Sequence, residues 1–223
     1  MDIEIPLPRQ LIIFDFDGTL ADTFNLFRTI FDEVAAIYGF DRFDSDNLAT
    51  LRNLDARKIM EHHHVTMWKL PMIVRTMRTR MERDIHQVQL FPGISEALTY
   101  LHNSGSILAL LTSNSRANVL KVLGPENAAH FQHLECGTSI FGKHSKLKKL
   151  LKACGTHPSN AIYIGDEIRD YAAATQSSIR FGAVAWGYSN LDALIATGAQ
   201  ETFRDADELT SKLAAFASTE VKT

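Results

Sequence analysis

Two cysteines in 223 residues, Cys136 and Cys154, are too few to build a disulfide framework. They read instead as reduced thiols of a cytoplasmic protein. Long apolar runs are missing as well. No stretch approaches the ~20 residues that span a bilayer, and residues 1–6 show neither the basic nor the apolar part of a secretory signal. There is no excess of positive charge: 23 Lys and Arg stand against 26 Asp and Glu, a formal net charge of −3. Nucleic acid is therefore not expected as a partner, and neither is a membrane. Internal repeats and low-complexity segments are absent too. What remains, 45% hydrophobic and 22% charged, is an ordinary soluble composition, long enough for one large or two modest domains.

Within that composition one stretch stands out. Leu11-Ile12-Ile13-Phe14 runs straight into Asp15-Phe16-Asp17-Gly18-Thr19. A short apolar run bounded by a turn signal predicts a buried strand of a parallel sheet. Unpaired carboxylates at its end would cost several kcal/mol to bury, and the carboxyl ends of parallel strands are where ligands bind. After it, Phe24, Phe27, Phe31, Val34 and Tyr38 recur at helical spacing, Gly39 suits a C-terminal cap, and Pro71 suits a first helical turn. Helical intervals persist to residue 90. The turn signal Phe91-Pro92-Gly93 then opens an alternation of helices and strands. Strands are expected at Ile107–Leu111, weakly near Leu134–Ile140, at Ala161–Gly165 and finally at Gly182–Trp186. Helices are expected at Ile94–Asn103, from Arg116, at Lys146–Ala153 and around Asp207–Ala215. Such alternation predicts right-handed crossovers and a mostly parallel sheet.

Three of these strands end in polar chemistry: Asp15 and Asp17; Thr112, Ser113 and Asn114; Asp166 and Asp170. Parallel strands would gather all three clusters at one edge. Clustered carboxylates repel one another unless a cation lies among them, and hard oxygen donors favour Mg²⁺. A hydroxyl and an amide beside them can hold an oxyanion, and Phe141-Gly142-Lys143-His144-Ser145-Lys146 supplies fixed positive charge.

In this order the motifs resemble those of the haloacid dehalogenase superfamily, in its phosphoglycolate-phosphatase-like branch. Asp15-Phe16-Asp17-Gly18-Thr19, Thr112, Lys143 and Gly165-Asp166-Glu167-Ile168-Arg169-Asp170 match its four motifs, across nearly the whole chain. The resemblance implies an α/β, Rossmann-like three-layer core formed by residues 1–21 and 91–223. A smaller all-helical cap of the C1 type is implied over residues 22–90, hinged near Ala21–Thr23 and Leu90–Gly93. It implies a Mg²⁺-dependent phosphatase acting on a small phosphorylated metabolite through an aspartyl-phosphate. Asp15 would be the nucleophile and Asp17 the general acid and base. Mg²⁺ would be held by Asp15, the Asp17 carbonyl and Asp166. Thr112 and Lys143 would bind the phosphoryl oxygens, with backbone N–H groups around Gly18 and the helix-capping Ser113 and Asn114 beside them. Asp170 would orient Lys143 or metal-bound water, and Glu167 could reach the metal through water or simply start a helix.

Alternatives within the same fold are a phosphomutase or another hydrolase, and, from a different class, a receiver-like signalling module. The long insertion after Asp15 and the Asp-x-Asp-Gly-Thr pattern disfavour the last. Lys146 competes with Lys143 for the phosphate role but reads as part of a basic helix face with Lys148, Lys149 and Lys152. The cap is basic between Leu51 and Arg83, which suggests an anionic substrate portion beyond the phosphate. Arg52, Arg75 and Arg78 are its candidate contacts. His62-His63-His64 project about 100° apart on a helix and read as surface or cap-interface residues rather than a ligand set.

Overall fold

The computed structural model describes residues 9–43, 48–139 and 142–218. Six parallel strands form its sheet: β1 Leu11–Phe14, β2 Ile107–Leu111, β3 Phe131–Glu135, β4 Ala161–Gly165, β5 Arg180–Val184 and β6 Glu201–Phe203, in the order β3-β2-β1-β4-β5-β6. β1 lies at the centre, with Phe14 in register with Leu110 on one side and Ile164 on the other. Chain order reverses on either side of β1, and this switch point is where a doubly wound sheet opens a crevice for ligands.

Alternation along β1 divides the core. Ile12 and Phe14 point into one apolar layer with Leu98 and Leu101 of α5 (Ile94–Asn103), Val119 and Leu123 of α6 (Arg116–Ala129), and Leu209 and Leu213 of α10 (Ala206–Ser218). Leu11 and Ile13 point into the other, with Leu147 and Leu150 of α7 (Lys143–Cys154), Ala173 and Ala174 of α8 (Ile168–Gln176) and Leu194 of α9 (Leu191–Thr197). All four β1 side chains are fully buried, which is why a pure apolar run, rather than an alternating one, encodes this strand.

Several expected boundaries move. The third strand is Phe131–Glu135, earlier than expected, and Ile140 lies outside the described residues. The fifth is Arg180–Val184, and Trp186 falls beyond its end. α7 begins at Lys143 rather than Lys146. Unforeseen are α9 and the edge strand β6. At three residues, β6 is too short to carry a periodic signal.

Residues between Thr23 and Asp84 form a separate helical unit over one edge of the sheet: α1 Phe24–Tyr38, α2 Leu48–Leu51, α3 Ala56–His62 and α4 Leu70–Asp84. It has its own apolar cluster, with Ile30, Phe31, Val34, Val65 and Ile73 at its centre. α1 stops at Gly39, whose φ of 73° is left-handed and whose N–H bonds to Ala35 O. α4 carries Pro71 in its first turn. His63 departs from expectation: it is 1% exposed, its ring packed between Phe31 and Phe43 with Nδ1 on Asp41 O. His62 and His64 are exposed.

The two linkers run side by side. Ala21 bridges Leu90 in antiparallel fashion, Asp22 N–H bonds to Gln89 O at 2.9 Å, and Phe91 N–H to Leu20 O at 2.9 Å. Among the described residues no helix is long and apolar enough to cross a membrane.

Candidate active site

β1 delivers Asp15 to the carboxyl edge of the sheet, where it is 2% exposed. One carboxylate oxygen accepts from Phe16 N–H at 2.8 Å and the other from Lys143 Nζ at 2.6 Å. Lys143, the first residue of α7, also donates to Asp170 Oδ1 at 2.7 Å, and Asp170 accepts a further bond from the Tyr163 hydroxyl at 3.1 Å. Burial works against the Lys143 charge, but the two carboxylates outweigh it and hold the ammonium up to about 12. The same cation is shared unequally by its partners. Burial pushes Asp15 up to about 7 against the opposing pull of Lys143. For Asp170, Lys143 and Arg169 together overcome burial and keep the carboxyl below its ordinary value. Lys146 lies elsewhere, with Nζ on Glu135 Oε2 at 2.9 Å.

Asp17 sits at the partly exposed mouth of the site. Its two oxygens accept from Asn114 Nδ2 at 2.9 Å and Thr112 Oγ1 at 3.3 Å, both from the turn after β2. Loss of water raises its pKa despite these bonds, so the carboxyl can carry a proton where an ordinary aspartate would not. Thr112 Oγ1 in turn accepts from Asn114 N–H, and Asn114 Oδ1 from Asn118 Nδ2, so the turn is fixed from behind. Ser115 rather than Asn114 caps α6, through Asn118 N–H.

Asp166 follows β4 and is fully buried. Its oxygens accept from Thr19 Oγ1 at 2.8 Å and Tyr188 N–H at 2.7 Å. Burial, then the charges of Glu167, Asp15 and Asp170, push its pKa well above the ordinary carboxylate range. The close approach of Asp166 to the Asp15–Thr19 turn depends on Gly18. Its φ is +76°, and a Cβ there would run into Asp166 Oδ2 and lie 2.6 Å from the Tyr188 ring. The Gly18 N–H bonds to Ala21 O at 2.9 Å, so this glycine contributes through space and conformation. Glu167 is ion-paired with Arg169, and its N–H bonds to Asp170 Oδ2 at 3.2 Å.

Asp15, Glu167 and Asp170 each offer a carboxylate oxygen within 4.8 Å of the others. Hard oxygen donors this close, in a pocket that raises the pKa of Asp15 and Asp166, fit a divalent hard cation. Asp166 lies beside this trio, bonded to Thr19 and Tyr188.

Of the three arginines expected to contact substrate, Arg52 and Arg78 reach across to the sheet domain. Arg52 Nε donates to Tyr188 O at 3.0 Å and its Nη2 to Gly187 O at 2.8 Å. Arg78 Nη2 lies 3.4 Å from Thr138 O. Arg75 is exposed. Sequence reasoning assigned no role to Thr19, Tyr163, Arg169 or Tyr188. Thr19 and Arg169 stand inside recognised motifs, whereas Tyr188 follows β5 with no local signal. Yet Tyr188 joins the site to the first linker and the helical unit. Its N–H holds Asp166, its hydroxyl meets Thr23 Oγ1 at 2.9 Å in the first linker, and its ring packs on Phe24 and Phe27 of the cap.

Residues 12–184 match the family described as haloacid dehalogenase-like hydrolase. A phosphoglycolate phosphatase of Synechococcus elongatus is 32% identical, over 84% of this chain and 89% of its own. A haloacid dehalogenase-like family hydrolase from Streptococcus pneumoniae superposes with a TM-score of 0.77 at 20% identity, covering 92% of this chain and 98% of its own. CbbY from Rhodobacter sphaeroides, solved in complex with phosphate, gives 0.71 at 22% identity over 91% and 96%.

Proposed function

Because the chain belongs to the haloacid dehalogenase-like hydrolase family and is a phosphoric monoester hydrolase, we propose that Asp15 attacks the phosphoryl group of a small phosphomonoester. The aspartyl-phosphate so formed is then hydrolysed. The observation that carries this reading is the contrast between the two strand-end aspartates. Asp15 is held by Lys143 at 2.6 Å deep in the site, while Asp17, at the mouth, is bonded by the neutral groups of Thr112 and Asn114.

That contrast divides the labour. Asp15 supplies the nucleophilic oxygen, fixed in aim by Phe16 N–H. Asp17 carries the proton that the departing alcohol oxygen needs, and afterwards takes one from the attacking water. Lys143 and Thr112 stand on opposite sides of the pair and hold the phosphoryl oxygens as charge shifts among them. Asp170 and Tyr163 keep Lys143 pointed inward. The residues that would hold Mg²⁺ are Asp15, the Asp17 carbonyl and the acids that follow β4, Asp166, Glu167 and Asp170. When bound, it would neutralise charge so that one anion can approach another. The helical unit over residues 22–90 acts as the cap, swinging about the paired linkers to exclude water.

Hydrolysis of p-nitrophenyl phosphate with and without Mg²⁺ tests the reaction, against Asp15→Asn and Asp17→Asn. Asp15→Asn is expected to abolish turnover, and Asp17→Asn to slow poor leaving groups most. Absence of turnover with any divalent metal would refute the proposal.

A further inference from the structure

Between the cap and the catalytic edge lies a cavity of about 210 Å³. Phe24, Phe27 and Phe31 of α1, Leu51 of α2, Met60 of α3 and Met77 of α4 line it, so every cap helix contributes an apolar side chain. Ser113 and Glu167, the sequence neighbours of Thr112 and Asp166, also line it. Glu167 also has a carboxylate oxygen within 4.8 Å of one of Asp15, so the cavity adjoins the phosphoryl site.

Among the described lining residues, charge is confined to Arg52, Glu167 and Arg169. Arg52 is committed to the carbonyls of Gly187 and Tyr188, and Arg169 to Glu167. Arg75 and Arg78, which made the cap look suited to an anion, are not among the lining residues. A second carboxylate or phosphate lying among the phenylalanines, away from Arg52, would stay unpaired, and burying an unpaired anion is strongly unfavourable. Apolar walls with a few polar groups at one end are instead the composition of a pocket for an uncharged organic group. A dry apolar cavity of ~150 Å³ already accepts benzene.

Resting on the phosphatase reading above, we propose that this chamber receives the alcohol portion of the substrate, and that this portion is an uncharged, apolar ring-bearing group. The phosphoryl end lies against Asp15 and Lys143, the ester oxygen beside Asp17, and the ring among the cap phenylalanines, where edge-to-face contacts with Phe24 and Phe27 are open to it. Hydrolysis breaks the phosphorus–oxygen bond. Phosphate leaves with an oxygen from water, and the ring-bearing alcohol keeps the ester oxygen and gains a proton.

The test compares kcat/KM, with Mg²⁺, for 2-phenylethyl phosphate, glycerol 3-phosphate and 2-phosphoglycolate, with acetyl phosphate as a donor too small to need the chamber. The first two are both primary alkyl esters, so their difference reports the pocket rather than the leaving group. 2-Phenylethyl phosphate is expected to exceed glycerol 3-phosphate and phosphoglycolate by about tenfold or more, chiefly through KM. Ala56→Phe, which adds a ring at the chamber wall, should lower the ratio of 2-phenylethyl phosphate to acetyl phosphate turnover by a similar factor. Equal or better use of phosphoglycolate or glycerol 3-phosphate, with acetyl phosphate hydrolysed, overturns this inference and leaves the phosphatase reading standing. Failure to hydrolyse acetyl phosphate with any divalent metal overturns both. If Ala56→Phe does not fold, the comparison on the unaltered protein decides alone.

Discussion

Without its cation, this active site should make the protein less stable as the pH rises. Burial lifts Asp15 from 3.8 to about 7. Between those values the folded protein holds a proton that the unfolded chain has released. Folding stability therefore falls as pH climbs through that window and levels off above it. At 1.36 kcal/mol per pKa unit, Asp15 alone accounts for about 4 kcal/mol. Asp17 and Asp166, raised for the same reason, act in the same direction. The remaining buried charges act outside the window. Asp170 is lowered, so its stabilisation is lost only as pH falls below 3.8, and that of Lys143 is lost only above 10.5. His63, lowered from 6.5 by burial, has the opposite sign and costs stability as pH falls below that value. Comparison with Asp15→Asn removes its contribution, because both proteins share it.

The assay is thermal unfolding followed by circular dichroism at pH 5 and pH 8 in EDTA. For a chain of this size 1 kcal/mol is roughly 2–4 °C. About 3 kcal/mol of that total falls between pH 5 and pH 8, so the unaltered protein should lose roughly 6–12 °C more than Asp15→Asn across the interval. Saturating Mg²⁺ should shrink the difference, because a cation that binds ionised carboxylates replaces the proton. A melting temperature that is flat or rises with pH relative to Asp15→Asn, in EDTA, would refute the argument.

Three other outcomes follow from single contacts. Lys143→Met removes the cation between Asp15 and Asp170 and should destabilise the metal-free protein by about 3–5 kcal/mol; an unchanged melting temperature in EDTA would count against the buried pairing. Gly18→Ala forces a Cβ onto Asp166 at a left-handed φ of +76°, and should reduce kcat/KM at least tenfold and weaken Mg²⁺ binding, read by titration of turnover against the metal. Arg52→Ala frees the 187–188 backbone from the cap and should raise KM several-fold with little change in kcat; a fall in kcat alone would show that Arg52 does not act through cap docking.

Much of this site can be read from one strand. The run Leu11–Phe14 has a single plausible place, the centre of a parallel sheet, and once it is there Asp15 has to emerge at the carboxyl edge. Thr112 and Asp166 follow by the same logic, each closing a fully buried strand. Lys143 is harder, because nothing near it in sequence marks a strand end; its place in the motif order and the basic helix face that claims Lys146 separate the two. Tyr188 was invisible. Its contribution is a backbone N–H and a ring, and neither depends on a recognisable pattern in the neighbouring residues. The cap misleads in a more general way. Its basic composition is real, but Arg75 is exposed and Arg78 bonds to Thr138 O rather than lining the chamber, and a count of charges does not say where each one points.

The pairing of Ala21 with Leu90 bears on how this protein folds and diversifies. Since the two crossings are hydrogen-bonded neighbours, the sheet meets the helical unit as a loop whose ends are already joined. Closing such a loop grows only logarithmically harder with its length, about 0.6 kcal/mol per doubling. The insertion that supplies most of the chamber wall is thus tied to the part that holds Asp15 through these crossings and a few contacts such as those of Arg52 and Tyr188. Helices can be lengthened, replaced or repacked between Ala21 and Leu90 while the strand ends keep their register. Chemistry and selectivity are consequently free to change at different rates.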